Sequence, residues 1–193
     1  MKIPLFPLSS IVLPGGKLPL RLFEPRYIRM VSLCMKEEIG FGVCLAQASS
    51  AEDSQALLPY PIGTLARIVD FDQGEDGLLQ ITAVGVQEFR LASYELETDK
   101  LLMGEVELQD RPDKFAVPQE FSSLAVKLSQ ILDHLEPHIT FPDRDLDDAE
   151  WVCNRLLELL PIDAGEKFEM LNSFDTVSRL QALDDLSFSI AEE

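Results

Sequence analysis

The first third of the chain alternates apolar and polar residues in short runs, which is typical of β-strands. Residues 17–23 place Leu18, Leu20 and Leu22 on one face of such a strand. Pro19 interrupts the other face, and proline cannot donate a hydrogen bond to a neighbouring strand. We therefore expect this strand to lie at an edge of its sheet or to be interrupted at Pro19.

A helix is predicted directly after this strand. Pro25 suits the first helical turn, and Glu24 favours the positive end of the helix dipole. The predicted buried stripe has helical spacing and consists of Tyr27, Ile28, Val31, Cys34 and Met35. Gly40 is predicted to end this helix.

The pattern then returns to strands with turns between them. Residues 47–57 are small, polar and acidic and predict a loop, and residues 72–77 predict a hairpin turn with an Asp-Gly end. The predicted strands are 41–46, 63–71, 78–86, 87–96 and 102–108. Many short strands with turns between them favour a small barrel or a strongly curled sheet.

The pattern changes to helical spacing near residue 111, after the Pro-containing stretch "RPDKFAVP". One predicted apolar stripe is Phe121, Leu124, Ala125, Leu128, Ile131, Leu132 and Leu135, and a second is Ala149, Val152, Cys153, Leu156 and Leu160. Asp163 and Glu166 are spaced as a capping box, and Asp175 can cap a last helix. The sequence predicts an α+β chain with a β-rich part over 1–110 and a helical part over 111–193, packed on each other.

Composition narrows the classes of partner. The chain has 193 residues, 46% of them hydrophobic, and a formal net charge of −18. This charge argues against nucleic acid and against an anionic membrane surface, because both require Lys and Arg. No apolar run reaches the roughly 20 residues that span a bilayer. With no signal peptide visible and three cysteines at no C-x-x-C spacing, a cytoplasmic protein with reduced thiols is expected.

The charge is unevenly distributed along the chain. The first 50 residues hold six basic and three acidic side chains. Lys17, Arg21, Arg26 and Arg29 could form a basic patch for an acidic ligand, or they could pair with the acidic remainder of the chain. We favour internal pairing, with polypeptide binding chiefly apolar.

The sequence contains no complete motif for a phosphate-binding loop or for a calcium-binding loop. Gly16-Lys17 is followed by Leu18 where a phosphate-binding loop needs Ser or Thr. Residues 143–148 resemble the start of a calcium loop but lack its sixth-position glycine, so helix-capping acids are the favoured interpretation. No cofactor is predicted.

Sequence motifs for zinc and hydrolase sites also fail. His134 and His138 are four apart, but Pro137 lies between them and should end the helix, so no metal site is predicted. No G-x-S-x-G nucleophile motif is present.

Three stretches resemble the Lon N-terminal domain family, and in particular its short stand-alone members. They are "IPLFPLSSIVLPGGKLPLRLFEPRYIRMV" (3–31), "IGTLARIVDFDQGEDGLLQITAVGVQEFRL" (62–91) and "LLELLPIDAGEKFEMLNSFDTVSRLQALDDL" (156–186). One departure is Glu88, where the family usually has arginine. The resemblance implies a PUA-like β-barrel followed by a C-terminal helical bundle, without the ATPase and protease domains of full-length Lon proteases.

The resemblance also implies a non-catalytic protein that recognises unfolded or flexible polypeptide in protein quality control. The alternative is a peptidase-type hydrolase with an unrecognised site, and nucleic-acid binding is suggested by fold analogy alone. The candidate binding residues are Arg21, Phe23, Arg26, Tyr27, Phe71 and Phe89. For those around the start of the first helix, a structural role is favoured over ligand contact. A broad apolar groove would favour binding, and a closed pocket with convergent Ser, His or carboxylate groups would favour the hydrolase.

Overall fold

Strands and helices are segregated along the chain in the computed structural model, which describes residues 1–47, 58–136 and 144–189. The chain divides into two compact units, a β-rich unit over Met1–Arg111 and a helical unit over Pro112–Glu193. The predicted α+β class is confirmed. Of the loop predicted over residues 47–57, Gln47 belongs to a strand and residues 48–57 lie outside the described residues, as do His138 and Asp143.

The β-rich unit contains six strands and one helix. In chain order they are β1 (Lys2–Leu8), β2 (Lys17–Leu22), α1 (Pro25–Glu37), β3 (Phe41–Gln47), β4 (Leu58–Gln73), β5 (Leu79–Leu96) and β6 (Leu102–Leu108). The strands form one sheet in the order β2-β5-β4-β3-β1-β6, and β6 also pairs with β5. Strand pairing therefore follows a closed path from β5 through β4, β3, β1 and β6 back to β5, with β2 attached outside that path.

Strand β1 was not predicted, because Pro4 and Pro7 argue against a strand with neighbours on both sides. The register explains how both prolines are accommodated. Residues 2–5 pair antiparallel with β6, and residues 5–8 pair parallel with β3. Each proline thus lies in a half of β1 that has one registered neighbour.

The predicted start of helix α1 at Pro25 is confirmed, but its buried stripe and its end differ from the prediction. Ile28 and Met35 are 43% and 51% exposed, whereas Met30, which the prediction omitted, is fully buried. The buried stripe is Tyr27, Met30, Val31 and Cys34, and Ile28 and Met35 both lie roughly 40–60° beyond its Val31 edge. The helix ends at Glu37, and Glu38 takes the left-handed conformation (φ 53°) that was expected of a glycine.

Two strands predicted over 78–86 and 87–96 form the single long strand β5. The strand continues through the predicted boundary at residues 86 and 87, and the nearby Gly85 allows the close approach of another segment. A Cβ on Gly85 would lie 2.3 Å from the carbonyl oxygen of Leu13. Gly15 N–H donates to Gly85 C=O and Gly85 N–H donates to Gly16 C=O, both at 2.9 Å. These contacts fix the segment that leads into β2.

The helical unit contains the four remaining α-helices, preceded by a 3₁₀ turn over Gln119–Phe121. They are α2 (Ser122–Leu135), α3 (Ala149–Leu159), α4 (Ala164–Asn172) and α5 (Thr176–Ser189). Asp148, Asp163 and Asp175 accept hydrogen bonds from backbone N–H groups at the starts of α3, α4 and α5, as predicted.

Helix α3 is the most deeply buried helix of this unit among the described residues. Its buried set includes Arg155 as well as Val152, Cys153, Leu156 and Leu157. Arg155 donates to Glu158 at 2.8 Å. Burial lowers the pKa of Arg155, and the neighbouring Glu158 carboxylate opposes that shift. Arg155 is therefore a buried cation that is paired with the neighbouring Glu158 carboxylate.

Candidate functional site

The β-rich unit carries an open cleft of about 440 Å³, here called the strand cleft. It is lined by three consecutive residues from each of three strands: Pro19, Leu20 and Arg21 of β2, Asp70, Phe71 and Asp72 of β4, and Gln80, Ile81 and Thr82 of β5. Two of the six predicted binding residues, Arg21 and Phe71, therefore meet at this cleft.

The register of the strands sets the polarity of the strand cleft. Arg21 and Asp72 both lie opposite Gln80, and residues that lie opposite one another share a face of the sheet. On the other face, Ile81 is buried in the core. The cleft consequently presents charged and amide groups, and Arg21 is ion-paired with Asp76 of the β4–β5 turn.

Phe23 and Phe71 are the most exposed aromatic side chains in the described part of the β-rich unit, at 70% and 61%. Phe23 follows directly after β2, and Phe71 lies opposite Ile81 near the end of β4. Single exposed apolar side chains are normal on protein surfaces, so these two rings indicate a contact surface only in combination with the adjoining cleft.

Arg26 and Tyr27 lie at the start of α1 and contact the core. The Tyr27 ring is buried, with its centroid 4.2 Å from that of Phe6, and burial raises the pKa of its hydroxyl. The Arg26 guanidinium lies 4.7 Å from the Tyr27 ring centroid and is ion-paired with Glu24 at 2.7 Å. Arg26 also donates to the carbonyl of Lys100. These contacts join α1 to the turn that precedes β6.

The predicted internal pairing of the basic N-terminal residues is confirmed for three arginines. Arg21 pairs with Asp76 and Arg26 pairs with Glu24. Arg29 donates to both Asp99 and Glu97. These pairs are at least partly exposed, so each adds little stability, but together they place a carboxylate beside each of these guanidinium groups.

Phe89 is fully buried in a core cluster with Ile3, Leu5, Cys44, Leu65 and Val106. It lies opposite Gly63 in the β4–β5 ladder. Its neighbour Glu88, at the position that departs from the family pattern, is half-buried on β5 opposite Thr64.

The helical unit has an apolar groove of about 690 Å³, here called the helical groove. It is lined by Leu124, Lys127, Gln130, Ile131, His134, Leu135, Leu156, Leu160, Pro161, Ile162, Glu166, Leu183 and Leu186. Five of these are half-buried aliphatic side chains that keep part of their surface exposed, namely Ile131, Leu135, Leu160, Ile162 and Leu186.

The charged and polar residues of the helical groove lie on its exposed rim. One side of the rim consists of three residues of α2, namely Lys127, Gln130 and His134, and Glu166 lies on α4. Among the described residues that line the groove, none is Ser, Thr or Cys. The groove therefore offers an apolar surface for contact and no nucleophile next to its histidine.

Sequence reasoning placed no binding residue in the helical unit. The signal was nevertheless present in the predicted stripe of α2, which is wider than the set of residues that the unit buries. Leu124, Leu128 and Leu132 are buried, whereas Ile131 and Leu135 are only half-buried and line the groove. A stripe wider than its core partner predicts a partly exposed apolar face.

Two features are absent from the residues that the structure describes, namely a group of metal-binding side chains and a membrane-spanning helix. No three His, Cys, Asp or Glu side chains there are grouped closely enough to hold a metal ion. None of the helices in the described ranges combines the length and apolar composition needed to cross a membrane.

Comparison with known proteins gives a family match over nearly the whole chain. The model of the ATP-dependent protease La (LON) substrate-binding domain matches residues 2–186. The Lon protease of Parabacteroides distasonis is 27% identical over 191 residues, covering 94% of this chain and 23% of that protein. Protein cereblon of Danio rerio is 30% identical over 110 residues, covering 55% of this chain and 25% of that protein. The chain spans less than a quarter of the length of the Lon proteases that it matches.

Two solved structures resemble this one. A Lon N-terminal domain protein from Xanthomonas campestris aligns with a TM-score of 0.77 and 34% identity, covering 95% of this chain and 96% of that one. The N-terminal domain of Mycobacterium avium complex Lon protease aligns with a TM-score of 0.64 and 15% identity, covering 96% and 97%, which shows a shared fold.

Proposed function

Because the chain belongs to the family of the ATP-dependent protease La (LON) substrate-binding domain, we propose that it is a non-catalytic protein that binds unfolded or flexible polypeptide. The observation that carries the proposal is the helical groove, which is open, apolar and lined by half-buried aliphatic side chains. Unfolded polypeptide exposes the apolar side chains that such a surface can cover.

The size of the groove is sufficient for weak, reversible binding. Burying one Leu- or Phe-sized side chain contributes about 1.5–3 kcal/mol. Two or three inserted side chains would thus contribute roughly 3–9 kcal/mol before the entropic cost of association is subtracted. Dissociation constants of about 1 mM to 1 µM correspond to about 4–8 kcal/mol, which lies within that range.

The alternative, a peptidase-type hydrolase, is less well supported by the groove. His134 lies on its exposed rim, and the groove's described lining supplies no hydroxyl or thiol within reach of it. The match is to the substrate-binding domain of Lon and not to its ATPase or protease domains. We expect no ATP hydrolysis and no casein cleavage by the purified chain, and cleavage abolished by a point mutation in this chain would establish the hydrolase instead.

Three further features belong to this proposal. The closed path of strand pairing supports a PUA-like β-barrel in the β-rich unit. The net charge of −18 supports a polypeptide partner over nucleic acid or an anionic membrane. A cytoplasmic role in protein quality control follows from the family resemblance.

The six candidate binding residues take two roles in the proposal. Arg21, Phe23 and Phe71 supply an additional contact surface at and beside the strand cleft, since all three are exposed. Arg26, Tyr27 and Phe89 act through the fold, because their contacts lie within the β-rich unit.

Binding to a permanently unfolded model protein, such as reduced and carboxymethylated α-lactalbumin, tests the proposal by fluorescence anisotropy. Ile131→Asp introduces a charge into the helical groove and should weaken binding about tenfold or more, equivalent to about 1.4 kcal/mol. The matched control is Val126→Asp, because Val126 lies on the same helix, is 58% exposed and does not line the groove. Equal losses for the two variants, or no binding by the wild-type chain, would contradict the proposal.

The salt dependence separates apolar from electrostatic binding. Because binding is proposed to be chiefly apolar, affinity for the unfolded protein should fall less than tenfold from low to physiological salt, where the screening length is about 8 Å. A larger fall would identify an electrostatic site. Lys17, Arg21, Arg26 and Arg29 would then be the first residues to substitute.

A further inference from the structure

The helical groove has the length of a short helix. Along α2 it extends from Leu124 to Leu135, and at 1.5 Å per residue this is about 16 Å, or three helical turns. The residues between them that line the groove recur every three or four positions, as on one face of a helix. The groove thus presents a straight apolar floor with a defined direction.

The floor of the groove favours a helical occupant over an extended one. Its lining comes from the side chains of α2, α3, α4 and α5 and from the short connection between α3 and α4. Helices satisfy their own backbone hydrogen bonds and offer no strand edge to a partner. An extended segment on this floor would leave buried N–H and C=O groups without acceptors and donors, whereas a helix brings its backbone already satisfied.

Charge in the helical unit favours a basic occupant. Residues 112–193 contain 18 acidic and six basic side chains. Basic side chains here already face acids: Lys114 is paired with Asp145, and Arg144 is paired with Asp133 and Glu136. The unit therefore has a large surplus of carboxylates.

Carboxylates of this surplus lie on the α4 side of the groove. Glu166 lines it directly and is exposed, and Asp163 adjoins the lining residue Ile162. On the α2 side, Lys127 is the charged lining residue. The α4 side of the groove is consequently acidic beside an apolar floor.

We propose that the helical groove binds a basic amphipathic helix, with its apolar face on the floor and its Lys or Arg side chains toward α4. The proposal rests on the proposed function, because it names the class of polypeptide that the same groove prefers. Apolar contact provides most of the binding, and the carboxylates select among apolar segments.

Three synthetic peptides of about 14 residues provide the probe, since isolated helices of this length are only marginally stable and remain flexible when free. The first has leucines at i, i+3 and i+7 spacing with lysines on the opposite face. The second replaces each lysine by glutamate. The third is the lysine peptide with a central proline, which breaks the helix but keeps the charge.

The lysine peptide should bind at least tenfold more tightly than either of the other two at low salt, and circular dichroism should show a gain of helix on binding. Glu166→Gln should weaken its binding about two- to fivefold, because one exposed charge pair contributes about 0.2–1 kcal/mol. Gln keeps the capping-box geometry at the start of α4. The matched control is Glu169→Gln, which removes the same charge from the same helix at a position outside the groove.

The outcomes separate this inference from the proposed function. If unfolded α-lactalbumin binds in a manner sensitive to Ile131→Asp but the three peptides bind equally, the inference is overturned and the proposed function stands. If lysine-peptide binding is unaffected by Ile131→Asp, or equally affected by Glu166→Gln and Glu169→Gln, the groove is not its site and the inference is overturned. If neither probe binds, both proposals fail.

Discussion

Phe89 offers the sharpest test of the packing in the β-rich unit. Its ring lies over two glycines: a Cβ on Gly42 would be 2.7 Å from the Phe89 ring tip, and one on Gly63 would be 2.6 Å from the same atom. Neither glycine has a side chain that can move into the space if the ring is removed. Phe89→Ala should therefore leave a cavity and lower the free energy of unfolding by about 3–5 kcal/mol.

The glycine contacts also predict a specific compensation. Gly42→Ala alone should cost about 1–3 kcal/mol, because its methyl group would clash with Phe89 and with Leu5. In the Phe89→Ala background the ring is gone and the methyl group partly fills its space. The two substitutions should then combine to less than their sum, with a coupling energy of about 1 kcal/mol or more.

Urea unfolding followed by far-UV circular dichroism measures these free energies. A loss of about 1 kcal/mol corresponds to a melting shift of roughly 2–4 °C for a chain of about 150–250 residues, so the effect is readily detected. Phe89→Leu, with an expected loss of about 1.5 kcal/mol, serves if the alanine variant does not fold. Strict additivity of Phe89→Ala and Gly42→Ala would refute the packing argument.

Three further predictions concern the thiols, a helix cap and the connection between the units. Burial raises the pKa of the Cys34 thiol to about 11 and that of the Cys44 thiol to about 12. Because the thiolate is the reactive form, both thiols should resist a disulfide reagent at about pH 8 until urea unfolds the chain. Rapid labelling of either thiol in the native chain would contradict this. Asp148→Ala removes the acceptor at the start of α3 and should cost about 0.5–2 kcal/mol, measured by the fluorescence of Trp151, while an unchanged midpoint would count against the cap. Limited proteolysis should cut slowly between residues 111 and 118 if the units pack together, and rapid release of two stable halves would argue for a loose tether.

Local rules predicted much of this fold because they describe local structure. Pro25 at the start of α1 and the capping acid Asp163 act on their own turn of the chain, and each lies where it was expected. Alternation over residues 17–23 predicted a strand and Pro19 predicted its edge position, and β2 pairs with β5 alone.

The errors arose where distant segments determine a residue's role. Gly40 is the residue type that commonly ends a helix. In the structure it serves a close approach instead, because a Cβ there would lie 2.5 Å from the carbonyl oxygen of Ala66, which belongs to β4. Pro4 and Pro7 argue against a strand unless the offset pairing of β1 with β6 and β3 is known. No local pattern contains that information.

The helical groove was missed for a related reason. The width of the α2 stripe could be measured in the sequence, but which part of it α3 and α5 would cover depends on how the helices pack. Ile131 and Leu132 are adjacent, equally apolar residues, yet Leu132 is fully buried and Ile131 is only half-buried.

Attachment of β2 outside the closed path of strand pairing has a consequence for self-association. An open strand is the place where a second copy could extend a sheet and begin aggregation. Within the described sheet, β2 alone has a neighbour on just one side, and it carries Lys17, Pro19 and Arg21 at alternate positions. Two charges repel an identical approaching strand, and the proline between them supplies no amide hydrogen. Among the described strands, the one with an open side is thereby poorly suited to pairing with a second copy of this chain.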